Sequence, residues 1–249
     1  MSQIVGNLIV RLGEVDSTNN YANQLIRDKG VAEGTVFLAY EQTAGRGQRK
    51  NTWESAAGEN LVFSIVLAPG FLEIRDQFML SKVVTLGIYR ALNKYVADLK
   101  IKWPNDIYAG NMKLGGILIE NSIMCGFLKD SVIGIGININ QEVFRSNAPN
   151  PVSLRILTKK HFVTEFVLSE ILSEIDAYYK LLQSGNFELI NFEFERVLFR
   201  RNEKHLYKAN DVIFEGEVCG VNEIGQLIIR KNDEQLLEFN FKEVEFILD

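Results

Sequence analysis

The chain has 249 residues, 47% of them apolar and 24% charged, a globular composition long enough for one large domain or a larger domain plus a small one. Two cysteines (Cys125 and Cys219) lie outside any C-x-x-C pattern and there are only two histidines (His161 and His205), which argues against a disulfide scaffold, a zinc finger or a histidine-built metal site. The net charge of −5 falls entirely on residues 201–249, with 6 basic and 11 acidic side chains, a poor balance for binding DNA, whose affinity rests on neutralising phosphates.

Asn7–Val15 and Thr35–Gln42 are rich in β-branched and aromatic residues and read as strands. Between them a helix is expected, capped by Ser17 or Asp16, with Ala22, Leu25 and Ile26 on one face. Leu61–Leu67 reads as a buried strand and Ile74–Val96 as a long helix. Four strands follow at Leu99–Trp103, Ile107–Ala109, Leu114–Glu120 and Ser131–Ile139, with a turn at Gly110-Asn111. Helices are expected over Thr164–Leu182 and Phe187–Phe199. Short strands then come at Val212–Val221, Leu227–Arg230, Leu236–Phe241 and Glu245–Leu248. The pattern is that of an α+β domain over residues 1–200 with a small β-barrel over residues 201–249. No apolar run approaches the roughly 20 residues of a membrane span, and no basic segment precedes the first apolar stretch; a cytoplasmic protein without a signal peptide is expected.

Five segments carry chemistry. Glu41–Trp53 places Gly45 and Gly47 among Arg46, Arg49 and Lys50 directly after a strand; it reads equally as an anion site or a solvated basic loop, and it is not a Walker A motif. In Lys102-Trp-Pro-Asn-Asp106, Pro104 ends a strand abruptly and aims Asn105 and Asp106, although a plain turn explains the same residues. Lys113 opens a strand that contains Gly115 and Gly116, where a bulge or a close-lying molecule is expected; the lysine alone reads as an edge charge. Strand alternation puts Asn138 and Asn140 on one face with Gly134 and Gly136, either a hydrogen-bonding floor or a solvent-facing side. Ser17-Thr-Asn19 suits a polar ligand head or a helix cap. With cations and amides but neither histidine nor cysteine nearby, the set fits attack on phosphate by a carboxylate. Such a nucleophile is already ionised and needs mainly positioning and charge stabilisation.

Taken in order, S-T-N, E-Q-T-A-G-R-G, K-W-P-N-D, K-L-G-G-I-L-I-E and G-I-G-I-N-I-N resemble the biotin protein ligases, from about Gly13 to Asn140. The resemblance implies a mixed sheet flanked by helices, as in class II synthetases, with a C-terminal SH3-like barrel. It implies a two-step reaction: biotin and MgATP give biotinyl-5′-AMP, and the biotinyl group then passes to a lysine of a carboxylase's biotin carrier domain. Ser17, Thr18, Asn19 and Gln42 would surround the ureido head, and Gly45, Arg46, Gly47 and Gln48 would close over the ligand. Gly115 and Gly116 would face biotin. Arg46, Arg49, Trp53, Lys102, Asn105, Lys113 and Asn138 would meet the nucleotide. Lys113 and Arg46 would stabilise charge at the acyl-phosphate junction, and Asp106 would orient or deprotonate the incoming amine; no protein-held metal is implied. Gln48 and Lys50-Asn51 depart from the family's usual G-R-G-R-x-G-R loop. The motifs begin at Ser17, so a monofunctional ligase without an operator-binding domain is expected; monomer and sheet-edge homodimer both remain open. A lipoate or octanoate ligase and a non-catalytic biotin-binding regulator are the alternatives. A dithiolane would call for an apolar wall where Ser17, Thr18 and Gln42 stand.

Overall fold

A computed structural model describes residues 2–48, 51–146 and 150–248. The first strands and helices are β1 (Leu8–Val15), α1 (Thr18–Lys29), β2 (Thr35–Gln42) and β3 (Leu61–Leu67). A single 3-10 turn at Ile74–Asp76 leads into α2 (Phe78–Leu92), followed by β4 (Leu99–Lys102), β5 (Asp106–Ala109), β6 (Met112–Met124) and β7 (Phe127–Ile137). Three helices come next, α3 (Leu154–Thr158), α4 (Thr164–Gln183) and α5 (Phe187–Arg196). The C-terminal strands are β8 (Lys204–Ala209), β9 (Val212–Val221), β10 (Leu227–Lys231), β11 (Leu236–Phe239) and β12 (Glu245–Phe246).

The first sheet runs β1-β2-β3-β7-β6-β5-β4, with β1 and β2 parallel and every other pair antiparallel. All seven residues of β3 are buried, because the sheet is covered on both faces. Odd-numbered residues of β3 and β7 (Phe63, Ile65, Ile133, Ile135) join the main core beneath α2 and α4. Even-numbered residues face α1, where Ala22 packs on Phe37, Val66 and Val132. That second face carries Ser64, Gly134 and Gly136, and it is where space remains. α2 is buried nearly all round because α4, α5 and the sheet enclose it. At Gly87 a Cβ would lie 2.6–2.8 Å from Ile175, so glycine is required for that close approach.

The second sheet is antiparallel, in the order β11-β10-β9-β8-β12. Among the described residues its ladder ends at β11 and β12, so the expected barrel is present as an open five-stranded sheet. Its Val218, Leu227, Ile229 and Phe239 belong to the same buried cluster as the first sheet's core. Trp103 Nε1 donates to Gly225 O (2.9 Å), and Arg200 Nη1 donates to Ile247 O (2.8 Å). The connecting segment also covers a sheet edge: Ile101 N donates to Val197 O and Phe199 N to Ile101 O, against β4.

Several bounds differ from the expected ones. The helix expected from Ile74 starts at Phe78. Residues 72–74 are instead tied to the tip of the β6–β7 hairpin, through Ile74 N to Gly126 O and Leu128 N to Leu72 O. That hairpin is longer than its apolar stretch because its polar ends still pair across the ladder as far as Met124 and Phe127. β7 stops at Ile137 because Asn138 N turns to Leu114 O. α3 and β8 were not expected; α3 is capped by Ser153, which accepts from Ile156 N at 3.2 Å. Among the described residues no helix is long and apolar enough to cross a membrane.

Lys82 is buried in α2, where Nζ donates to Asn191 Oδ1 (2.7 Å) and lies 5.5 Å from the ring centres of both Phe78 and Phe194. Burial lowers its pKa to about 8, with Glu195 opposing the shift. The unfolded chain keeps this proton up to its ordinary pKa, so stability gains as pH rises from about 8 toward 10.5. The stability advantage of Lys82→Met over wild type should therefore shrink across that window by up to about 3 kcal/mol. Denaturant titrations at pH 7 and pH 10 check this, and a pH-independent difference would show that the folded state keeps the ammonium charged.

Candidate functional site

A cavity of about 900 Å³ opens on the α1 face of the first sheet, and residues from nearly every expected motif line it. At one end the α1 N-terminus meets β2 and β3. Thr18 N donates to Gln42 Oε1 (2.7 Å), and Thr18 Oγ1 lies 3.1 Å from the same oxygen. Ser64 Oγ sits 2.7 Å from Thr18 Oγ1 and 2.6 Å from Asn19 Oδ1. Ser17, Thr18, Asn19 and Ser64 are all buried. Ser17 occupies the N-cap position, but its hydroxyl makes no capping bond, while Asp16 accepts from Asn20 Nδ2 (2.6 Å). A Cβ at Gly134 would collide with Asn19, so the glycine admits this polar cluster to the floor.

The glycine- and cation-bearing loop folds back on itself. Trp53 N donates to Gly45 O (2.9 Å), Gly47 N to Asn51 O (2.8 Å), and Arg46 pairs with Thr52 across a short bridge. Gly45 is buried against the Trp53 carbonyl, while Arg46, Gly47 and Gln48 line the cavity. Arg49 and Lys50 lie outside the described residues. Trp53 lays its indole on Gly136, where any Cβ would overlap the ring, and its buried Nε1 has no hydrogen-bond partner among the described residues.

Lys113 is held by its backbone on both sides: its N donates to Asn150 O (2.8 Å) and its O accepts from Val152 N (2.9 Å). Its Nζ pairs with Asp106 Oδ1 (2.8 Å) and lies 5.8 Å from the Trp53 ring centre. A Cβ on Gly116 would come 3.1 Å from that Asp106 oxygen and 3.3 Å from Nζ, so the ion pair lies directly over the glycine. Gly115 faces the other way; its Cα fits against Ile137 and the Gly136 carbonyl, and it does not line the cavity. Asn105 lines the wall, but its side chain and backbone are bonded to Ile117. Asn138 donates to Val152 O (3.0 Å) and leaves a buried Oδ1 with no partner among the described residues. Asn140 clamps Phe162 through both amide atoms and takes no part in the cavity.

Lys102 sits between the rings of Tyr108 (4.8 Å) and Phe246 (5.0 Å). Burial lowers its pKa, helped by Lys113 and Arg200 and opposed by Asp106. Arg46 does not lie beside Lys113. Its guanidinium pairs with Glu120 (2.8 Å) and donates to Asn20 Oδ1 (2.7 Å), and the same carboxylate accepts from Asn19 Nδ2 (2.9 Å). The two cations are thus anchored at separate points of β6, Lys113 near its start and Arg46 through Glu120, with Gly116 and Leu118 between them along the strand.

Residues 12–138 match the sequence model of the Biotin/lipoate A/B protein ligase family. The chain belongs to this family. A biotin–[acetyl-CoA-carboxylase] ligase of Paracoccus denitrificans is 30% identical over 88% of this chain and 92% of its own length. The bifunctional ligase/repressor BirA of Escherichia coli K12 is 36% identical over 56% of this chain, which spans 43% of that protein. In three dimensions, the biotin protein ligase from Aquifex aeolicus in complex with biotin and ATP is similar over 98% of this chain and all of its own, with a TM-score of 0.81 at 26% identity.

Within this biotin/lipoate ligase fold, Ser64, Glu54 and the wall supplied by Phe241–Leu248 lie outside the motifs, and Glu120, the last residue of K-L-G-G-I-L-I-E, had no role in them. Only Ser64 left a signal, as a lone hydroxyl in the apolar run LVFSIVL. Gly136→Ala should lift the Trp53 indole off the floor while leaving the fold intact. In a Trp103→Phe background the Trp53 emission should shift to the red, and an unchanged spectrum would mean that the ring does not depend on the glycine.

Proposed function

We propose that this chain is an ATP-dependent ligase that joins biotin to AMP and then transfers the biotinyl group to a lysine of a biotin carrier domain of a carboxylase. The observation that carries this reading is the Lys113–Asp106 ion pair on Gly116, on the same face of the sheet as an indole platform and a buried hydroxyl-and-amide cluster. Thr18, Asn19, Gln42 and Ser64 form a hydrogen-bonded polar cluster whose donors and acceptors suit a ureido ring, whereas a dithiolane would make no hydrogen bond to it. Trp53 and the unpartnered Asn138 Oδ1 suit a purine and its amine.

In the first step a biotin carboxylate oxygen attacks the α-phosphorus and pyrophosphate leaves. The nucleophile is already an anion, so no base is needed, and the Lys113 ammonium offsets the charge that builds on the phosphoryl oxygens. Magnesium is taken to arrive with ATP as part of the substrate. In the second step a carrier lysine nitrogen attacks the acyl carbon, AMP leaves, and Asp106 takes up or steers the ammonium proton. Arg46 would exchange Glu120 for the adenylate when the loop closes. The catalytic lobe is assigned to residues 1–200 and the small lobe to residues 201–249.

Purified protein given ATP, Mg²⁺ and biotin should release pyrophosphate, and lipoate should not replace biotin; turnover with lipoate alone would overturn the assignment. Lys113→Ala should slow adenylate formation by roughly 10²-fold or more. Gln42→Ala should raise the biotin KM by roughly 2- to 10-fold with a smaller effect on kcat, the signature of lost head-group binding.

A further inference from the structure

Glu54 follows Trp53 directly and stands on the cavity wall, yet no motif contains it. Its carboxylate accepts backbone N–H groups from a segment 91 residues further along the chain. Arg145 N lies 2.9 Å from Oε1 and 3.1 Å from Oε2, and Ser146 N lies 2.6 Å from Oε2. Gln141 Nε2 is 3.4 Å from Oε1, and Gln141 in turn accepts from Ala56 N (2.9 Å) and Asn60 Nδ2 (2.5 Å). Residues 141–146 therefore hang from residues 54–60. Further along, Asn150 and Val152 are bonded to the Lys113 backbone. Phe144, Ser146 and Pro151 line the cavity together with Trp53.

Arg145 and Ser146 are exposed, and their two consecutive backbone N–H groups lie outside any helix or strand; an ionised carboxylate is the strongest acceptor a side chain supplies, and by taking both it ties this segment to the residue after Trp53. Burial works to raise the Glu54 pKa, but the hydrogen bonds from Ser146 and Arg145 more than offset it, so the group titrates below the ordinary glutamate range and stays charged at neutral pH.

We propose that Glu54 is a positioning residue for the nucleotide: by holding residues 145–146 to the residue that follows Trp53, it sets the part of the cavity wall that Phe144 and Ser146 supply and couples the cation-bearing loop to the segment that fixes Lys113. This inference rests on the reading of the cavity as a biotin and ATP site. Glu54 touches neither the hydroxyl-and-amide cluster nor the Lys113–Asp106 pair, so its effect falls on ATP and spares biotin.

The test is steady-state pyrophosphate release by the full chain with each substrate varied in turn. Glu54→Ala should raise the ATP KM by roughly 10-fold or more, leave the biotin KM within about 2-fold, and change kcat less than the ATP KM. Glu54→Gln keeps one acceptor oxygen and should fall between Ala and wild type, and it carries the test if the alanine variant does not fold. An ATP KM that is unchanged in both folded variants, or one that rises in step with the biotin KM, would overturn the positioning role while wild-type activity stands. A wild-type enzyme that releases no pyrophosphate from biotin and ATP would instead overturn the functional reading, and with it this inference.

Discussion

Missing side chains on one face of a sheet make room for everything else in this molecule. Gly116 on β6 and Gly136 on β7 are directly paired, and Gly134 lies opposite Leu118 one step along the same ladder. The opposite face of these strands is packed with isoleucine and completes the core, so the sheet is rigid where its other side is hollow. Into the hollow come three different groups: the Asn19 amide over Gly134, the Trp53 indole over Gly136 and the Lys113–Asp106 pair over Gly116. A β-carbon at Gly134 or Gly136 would collide with the amide or the indole, and one at Gly116 would crowd the ion pair.

The charges around the hollow are balanced by carboxylates. Lys113 has Asp106 and Arg46 has Glu120, and both pairs are partly exposed to solvent. Exposed pairs contribute little to stability, which makes them cheap to exchange for another anion. Lys102 differs. It is desolvated between two aromatic rings, one of them supplied by β12, so the small sheet reaches into the chemistry of the large one.

Legibility in the sequence followed the range of the interaction. β3 was readable to the residue because seven apolar positions in a row leave no ambiguity, and β2 because its pattern is local. The start of α2 was not, since nothing within Ile74–Gln77 reveals that the neighbouring backbone is pulled onto the tip of a hairpin fifty residues later. The same holds in the site. Lys113 and Asp106 are visible as motif residues, but strand register sets Asp106 opposite Gly116, and only a bulge at Ile107/Tyr108 brings the lysine side chain back over that glycine. Glu54 and Glu120 look like ordinary surface acids, and their partners lie far away in the chain. Gly115 and Gly116 look alike in the sequence, yet adjacent residues of a strand face opposite sides, and only Gly116 lines the cavity.

The two rims of the large sheet are not equivalent. Residues 197–199 run beside β4 and occupy the hydrogen-bonding groups of Ile101, so that rim is already sealed by the chain's own backbone. At the far rim, β1 is laddered to β2 alone among the named strands, which leaves one side of Leu8–Val15 open to lengthwise pairing. A strand from another molecule that extended this sheet would have to align there, at the end that leads through Asp16 into the polar cluster of the hollow.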